Sequence, residues 1–389
     1  MTTSALVLQC GGPTAVVNAS LLGVIKASDT EPSVARLWGA RLGLRGLATG
    51  DWAELTGRGH PALAFQPGAA LGSGRYQMTD EDVALSLGLL RARGVGRAFV
   101  IGGNGAQTAA LRLSREARAA NLELQVIGIP KTIDNDLAGT DVCPGYGSAA
   151  RFIAESTHDV GLDLYAMRDF DDVAVVEVMG RHAGWLAAAA ALGRRDASAP
   201  PPLILAPEVQ LDEDGFLEAV RRRHARDGVC LVIAAEGVRD GAGDYLAEKF
   251  RPGEWDGSGQ RLLSLAGGTA PYLAGLIRAR LGLRCREARP DTIQRGSRAH
   301  ASEVDRALAG RAGEAAVRAA AGGESEVMIG LRRRAGEWVC ERVPLALVVG
   351  RERRLPAEFF DAAELTATPA FLDYARPLIG RWSPKATLF

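Results

Sequence analysis

Lysine is nearly absent from this chain: only Lys26, Lys131, Lys249 and Lys385 stand among 46 basic residues, the rest being arginine. The bias reads as genome composition, and it makes a lysine set among functional-looking residues conspicuous. Net charge is absent as well, with 46 acidic residues against 46 basic ones. No global field therefore draws the chain to nucleic acid or to an anionic membrane. The arginine runs at 221–223 and 332–334 lack interleaved aromatics and read as an exposed helix face and a solvated hairpin turn. Five cysteines show no CxxC or other ligand spacing, and their odd, scattered count fits a reducing cytoplasm. Cys10 and Cys230 lie in apolar runs and read as buried thiols. His60, His158, His224 and His300 form no metal-ligand pattern, and His182, just after a strand, reads as structural. No apolar run reaches transmembrane length, and the opening MTTSALVLQCGG has no basic segment of a signal peptide. The expectation is a cytoplasmic protein with neither membrane nor nucleic-acid partner. What remains, 47% hydrophobic and 24% charged over 389 residues, is an ordinary globular composition with room for two or three cores.

The chain repeats one unit. Ala5–Cys10, Arg97–Ile101 and Leu124–Ile129 read as apolar strands, each followed by a polar or glycine turn and then a helix. The turns are Gly11-Gly12-Pro13, Gly102-Gly103-Asn104-Gly105 and the corner after Pro130. Free N–H groups at the helix starts suit an anion, and the loop Gly72-Ser73-Gly74-Arg75 adds close-set backbone amides and a guanidinium. Strands at Val173–Val178, Leu203–Leu205 and Cys230–Ala235, with corners at Arg181 and Glu236, continue the style. A strand over Arg284–Arg289, a helix over Glu303–Ala321 and a hairpin across Gly336 follow, while Gly43–Gly59 is a long glycine-rich stretch and Asp240–Gln260 reads as irregular. Such repetition predicts α/β architecture with mainly parallel, doubly wound sheets and ligands at their carboxyl edge.

The densest chemistry lies in Gly128–Phe152, where Lys131, Thr132, Asp134 and Asp136 fall within six residues. If Ile133–Asp136 is extended, Asp134 and Asp136 share a face, and their mutual repulsion suits a divalent cation or a proton. The alternative is a turn in which Asp and Asn cap backbone groups.

Taken together, several strings resemble the phosphofructokinase family, from near the N-terminus to about residue 350. They are Gly11-Gly12-Pro13, Gly72-Ser73-Gly74-Arg75, Gly102-Gly103-Asn104-Gly105, Pro130-Lys131-Thr132-Ile133-Asp134-Asn135-Asp136, Glu177-Val178-Met179-Gly180-Arg181, Glu236-Gly237 and Ile293-Gln294-Arg295. The resemblance implies two three-layer α/β lobes with the active site in the cleft between them. Residues 1–147 with about 294–350 would be the donor lobe, and 148–293 with about 351–389 the fructose 6-phosphate lobe. It implies Mg²⁺-dependent transfer of a phosphoryl group to the 1-hydroxyl of fructose 6-phosphate by a homodimer or homotetramer. By motif position, Asp134 is the base, Asp136 with Asn104 holds the metal, and Thr132 touches the transferring group. Arg181 neutralises transition-state charge; Met179, Gly180 and Glu236 contact the sugar; Arg286 and Arg295 hold its phosphate. Gly11, Gly12, Arg75, Gly103, Gly105 and Lys131 line the donor's phosphates.

The chain departs from the family at three places: Asn104 stands for an aspartate, Asp172 for an arginine that reaches a neighbouring subunit, and Thr292 for a histidine. Two positions bear on the donor and disagree. Gly105 leaves room for a nucleotide, whereas Lys131 is the residue of pyrophosphate users. Pro13 and the Gly-Ser-Gly-Arg loop lean the same way as Lys131, so pyrophosphate is the expected donor and ATP the alternative. A non-catalytic sugar-phosphate-binding paralogue, and another acceptor such as sedoheptulose 7-phosphate, are the other readings.

Overall fold

The computed structural model describes residues 2–194, 201–256, 259 and 261–383. They form two compact units, Met1–Tyr146 with Arg295–Arg353, and Gly147–Gln294 with Arg354–Phe389.

The first unit is built on a seven-stranded sheet. Its order is Glu337–Pro344, Val327–Arg334, Gln125–Pro130, Val95–Gly102, Thr3–Gln9, Val34–Ala40, Trp52–Glu54. The outermost pair on each side is antiparallel and the remaining pairs are parallel. Side chains of a strand alternate between faces, and here both faces are apolar. Leu6, Leu8, Ala98, Val100 and Val126 pack with the helices Asp80–Ala92 and Asn104–Ala119. Ala5, Val7, Phe99, Ile101, Ile127 and Ile129 pack with Val17–Thr30 and Glu303–Ala321. This is the three-layer α/β sandwich expected from the near-continuous apolar runs. The last two helices approach closely: a Cβ on Gly313 would lie 2.2 Å from the Ser20 carbonyl oxygen, and one on Gly23 2.2 Å from that of Gly310. Thr79 and Asp82 form a capping box at the start of the 80–92 helix.

The second unit holds a four-stranded parallel sheet, ordered Cys285–Ala288, Val173–Val178, Cys230–Ala235, Leu203–Leu205. Helices Glu213–Asp227 and Thr269–Leu281 connect its strands. The tail closes this unit with aromatics: Phe359, Phe371 and Tyr374 gather around buried Trp185, with ring centroids 5.3–6.5 Å from it.

The glycine-rich stretch Gly43–Gly59 contains the helix Leu44–Thr49 and the edge strand Trp52–Glu54. Two local expectations change. Arg332–Arg334 belong to the strand, because the hairpin turn falls at Ala335 and Gly336, both at positive φ (48° and 87°) as a tight two-residue turn demands. The stretch Ile133–Asp136 is not extended. Asn135 sits at φ 56°, fully buried, with its side-chain oxygen accepting from Cys143 N at 2.9 Å. A left-handed residue between the two aspartates breaks strand alternation, so the shared-face argument does not hold and the turn reading does.

Candidate active site

Three parallel strands of the first unit, Thr3–Gln9, Val95–Gly102 and Gln125–Pro130, are neighbours. Their carboxyl ends therefore deliver three corners side by side, and backbone bonds extend the pairing into them: Cys10 N donates to Ile101 O at 2.8 Å, and Lys131 N to Gly102 O at 3.1 Å. At the first corner Gly11 takes φ 77°, open to glycine alone at little cost. The glycine loop folds against it, Gly11 N donating to Gly74 O at 3.1 Å and Ser73 Oγ to Gly11 O at 2.6 Å.

Lys131 lies beneath this turn. Its side chain is buried and its Nζ donates to Gly12 O at 2.8 Å. A Cβ on Gly11 would stand 3.2 Å from that ammonium, and one on Gly12 would stand 3.0 Å from the Arg295 guanidinium. Both glycines thus leave space that cations fill. Burial pulls the Lys131 ammonium from its ordinary 10.5 down to about 8, with Cys10 and Asp134 opposing and the positive charges of Arg295 and Arg75 adding to the fall. Burial also holds the Cys10 thiol up at about 12, so it is neutral at pH 7 and Asp134 is the opposing charge. Lys131, Arg75, Arg295 and Asp134 therefore share one electrostatic neighbourhood, poised for an anion.

At the second corner Asn104 opens its helix, and its amide nitrogen donates to Asp136 Oδ2 at 2.9 Å. Its carbonyl oxygen is buried and accepts no hydrogen bond. An orphaned oxygen beside a carboxylate fits a hard divalent cation, which takes one or two protein oxygens and the rest from substrate phosphates or water. Among the described residues no cluster of three His, Cys, Asp or Glu could hold a metal unaided. Gly103 is extended, and a Cβ there would lie 3.5 Å from Lys131 O, whereas one on Gly105 would meet open space. At the third corner Thr132 Oγ1 accepts from Asp134 N at 3.1 Å and fixes the turn.

The second unit presents a different group. Strands Val173–Val178 and Cys230–Ala235 are adjacent, and Glu236 N bonds Val178 O at 2.8 Å. Gly180 takes φ 135°, and a Cβ on Gly237 would lie 2.0 Å from Arg181 O, so both glycines are required by the corner. Met179 N donates to the Gln294 side chain at 3.0 Å. Met179, Glu236 and Gln294 line a small pocket together with Glu177, Ser264, Arg289 and Asp291. Arg181 is half-buried beside Gly180.

Of the expected site residues, the first unit gathers Gly11, Gly12, Arg75, Gly103, Asn104, Lys131, Thr132, Asp134, Asp136 and Arg295. Met179, Gly180, Arg181 and Glu236 form the second group. Arg286 is engaged elsewhere: its Nε meets Asp171 Oδ2 at 2.6 Å and its guanidinium stacks over Phe170. Asp172 clasps Arg284 through both oxygens at 2.9 Å, which holds its carboxyl down at about 2, and Arg168 stacks over Tyr165. Asp172 is thus a clip at the edge of the second sheet. Arg289 escaped the sequence reading, and Glu177 enters it only as a member of a motif string. A signal for Arg289 was its place three residues before Thr292, at the end of an edge strand.

The family model described as Phosphofructokinase matches residues 4–320. A pyrophosphate–fructose 6-phosphate 1-phosphotransferase of Xanthomonas campestris pv. campestris is 37% identical, over 98% of this chain and 92% of its own. One bearing the same name from Halomonas elongata is 35% identical, over 97% of this chain and 91% of its own. The crystal structure of a pyrophosphate-dependent phosphofructokinase from Nitrosospira multiformis superposes with a TM-score of 0.89 at 32% identity, covering 99% of this chain and 94% of that one.

Proposed function

The chain belongs to the phosphofructokinase family, and from that premise we propose that it transfers a phosphoryl group from pyrophosphate to the 1-hydroxyl of fructose 6-phosphate. The observation that carries the donor is Lys131: a buried ammonium under Gly12, with Arg75 and Arg295 adding positive charge around it. Desolvated cations that repel one another are relieved most by a compact, highly charged anion. The names of the relatives support the same donor.

On this reading the first unit takes the donor. Gly11, Gly12, Gly103 and Gly105 offer backbone to its phosphates, and Arg75 and Lys131 neutralise them; Arg295, beside Gly12, holds the phosphate of the acceptor. Asp136 and the free oxygen of Asn104 would hold Mg²⁺, which screens phosphate charge when bound. Asp134, fixed by Thr132, accepts the proton of the attacking 1-hydroxyl, a weak base's contribution of about 10²–10⁴-fold. Thr132 also contacts the transferring group. The second unit takes the sugar through Met179, Gly180 and Glu236, and Arg181 meets the charge that spreads over the transferring phosphoryl. Arg286 reaches the acceptor's phosphate by exchanging its bond to Asp171. A homodimer or homotetramer in the cytoplasm is part of the proposal; the exposed Tyr165, Met167 and Phe170, the last stacked with Arg286, support the assembly. With pyrophosphate the reaction is close enough to balance to run in both directions.

ATP is the second reading, favoured by the open space at Gly105. Initial rates with Mg²⁺ and fructose 6-phosphate, at matched concentrations of pyrophosphate and ATP, separate the two. The proposal expects kcat/KM at least tenfold higher with pyrophosphate. A higher value with ATP reverses the donor, and no bisphosphate from either makes the chain a non-catalytic paralogue.

A further inference from the structure

Glu177 is the most deeply buried acid of the second group, and the reaction as described does not use it. Its side chain is 5% exposed, and burial raises its carboxyl above the ordinary range, against Ala270 N–H and Arg289. Its Oε2 accepts from Ala270 N at 3.0 Å and lies 3.4 Å from Arg289 Nε. The helix Thr269–Leu281 has Gly268 at its N-cap and no side-chain cap of its own, so Glu177 supplies that cap from the neighbouring strand. Arg289 in turn donates to Ser264 O at 3.0 Å and reaches Gly267 O at 3.5 Å. Gly268, at φ 103°, has no room for a side chain: a Cβ there would lie 2.9 Å from Arg289 Nη1 and 3.0 Å from Glu177 Oε2. The pair thus joins the end of the 173–178 strand, the 264–268 loop and the end of the 285–288 strand.

These are the pieces that frame Met179 and Glu236. Met179 follows Glu177 by two residues, and Thr269 Oγ1 donates to Glu236 O at 3.2 Å. Gln294, which receives Met179 N–H, lies five residues after Arg289. Glu177 and Arg289 line one recess together with Met179, Glu236 and Gln294. The pair therefore touches the corner that carries Met179 and Glu236.

We infer that the Glu177–Arg289 ion pair is a positioning strut for the sugar phosphate, setting Met179 and Glu236 so that the acceptor binds. This inference rests on the acceptor reading above. Breaking a buried pair leaves an uncompensated charge, and the displaced corner then weakens acceptor binding while the donor corner, in the other unit, is untouched.

The test compares wild type, Arg289→Met and Arg289→Lys. Calorimetry measures the Kd of fructose 6-phosphate, and steady-state kinetics measures KM for each substrate. The expected result for Arg289→Met is a Kd and KM for fructose 6-phosphate raised at least tenfold, with KM for pyrophosphate and kcat within about threefold; Arg289→Lys recovers most of the loss. Unchanged acceptor Kd in Arg289→Met overturns the inference. Equal weakening of both substrates, or a kcat loss that Arg289→Lys does not rescue, also overturns it, because a general structural defect behaves that way. If Arg289→Met does not fold, Glu177→Gln takes its place: a Kd and KM for fructose 6-phosphate raised with KM for pyrophosphate unchanged supports the strut, and unchanged acceptor values overturn it. Wild type that binds fructose 6-phosphate yet fails to turn over with pyrophosphate sinks the donor assignment and leaves the calorimetric comparison intact; no binding at all removes the acceptor reading itself.

Discussion

Replacing Lys131 by methionine should leave the protein at least as stable and make it worse at using pyrophosphate. Methionine keeps much of the length and bulk and removes the charge. At pH 7 the lysine is charged in both the folded and the unfolded chain, and its folded pKa of about 8 lies below the ordinary 10.5. At about 1.36 kcal/mol per pK unit, holding that ammonium in the interior costs roughly 3 kcal/mol. The sign follows from the depressed value: the cost is fully present below about pH 8 and fades as pH rises toward 10.5. Methionine removes the cost and loses the charge-assisted hydrogen bond from Nζ to Gly12 O, worth about 1.5–3 kcal/mol. The net expectation in urea denaturation of the ligand-free chain at pH 7 is no loss of stability and a gain of up to about 1.5 kcal/mol. Catalysis should move the other way. A charge-assisted contact to phosphate contributes about 1.5–3 kcal/mol, so kcat/KM for pyrophosphate should fall roughly 10- to 150-fold. A variant that is less stable and keeps its KM for pyrophosphate would refute the view that this lysine is maintained for the donor at the expense of stability.

Three further outcomes follow from the same structure. Asp134→Ser should lower kcat by about 10²–10⁴-fold with KM for fructose 6-phosphate nearly unchanged; a loss carried wholly by KM would make Asp134 a binding residue. Bound pyrophosphate favours the charged lysine, so log(kcat/KM) for pyrophosphate should decline as pH rises through about 8, and a level profile from pH 7 to 9 contradicts this. Gly313→Ala places a methyl 2.2 Å from the Ser20 carbonyl and should cost about 1–3 kcal/mol by chemical denaturation, with no change in KM if the helices shift as a pair.

The corners of the fold were legible because the strands that lead to them are apolar on both faces. Ala5–Leu8, Phe99–Ile101 and Val126–Ile129 announce buried parallel strands, and the glycines after them announce where the chain must turn. The helix Leu44–Thr49 was not legible, since it lies in a glycine-rich stretch and is held by packing of Leu47 in the sheet's core. Nor was the aromatic cluster of the tail, whose members are far apart in sequence and meet only on Trp185. Within the site, the residue types around Lys131 and Arg181 pointed to phosphate chemistry, but the path of the chain between Asp134 and Asp136 did not. A single buried Asn135 at positive φ decides that path, and alternation arguments are blind to it. The placement of Arg295 against Gly12 comes from the returning segment joining the first unit, a long-range fact that its motif does not carry.

The donor claim can be tested most directly in reverse. Purified protein, Mg²⁺, fructose 1,6-bisphosphate and orthophosphate are followed by ³¹P NMR. The account predicts a pyrophosphate signal that grows in step with loss of the bisphosphate's 1-phosphate and with formation of fructose 6-phosphate. Fructose 6-phosphate without pyrophosphate, or no reaction from a preparation that makes the bisphosphate with ATP, would contradict it.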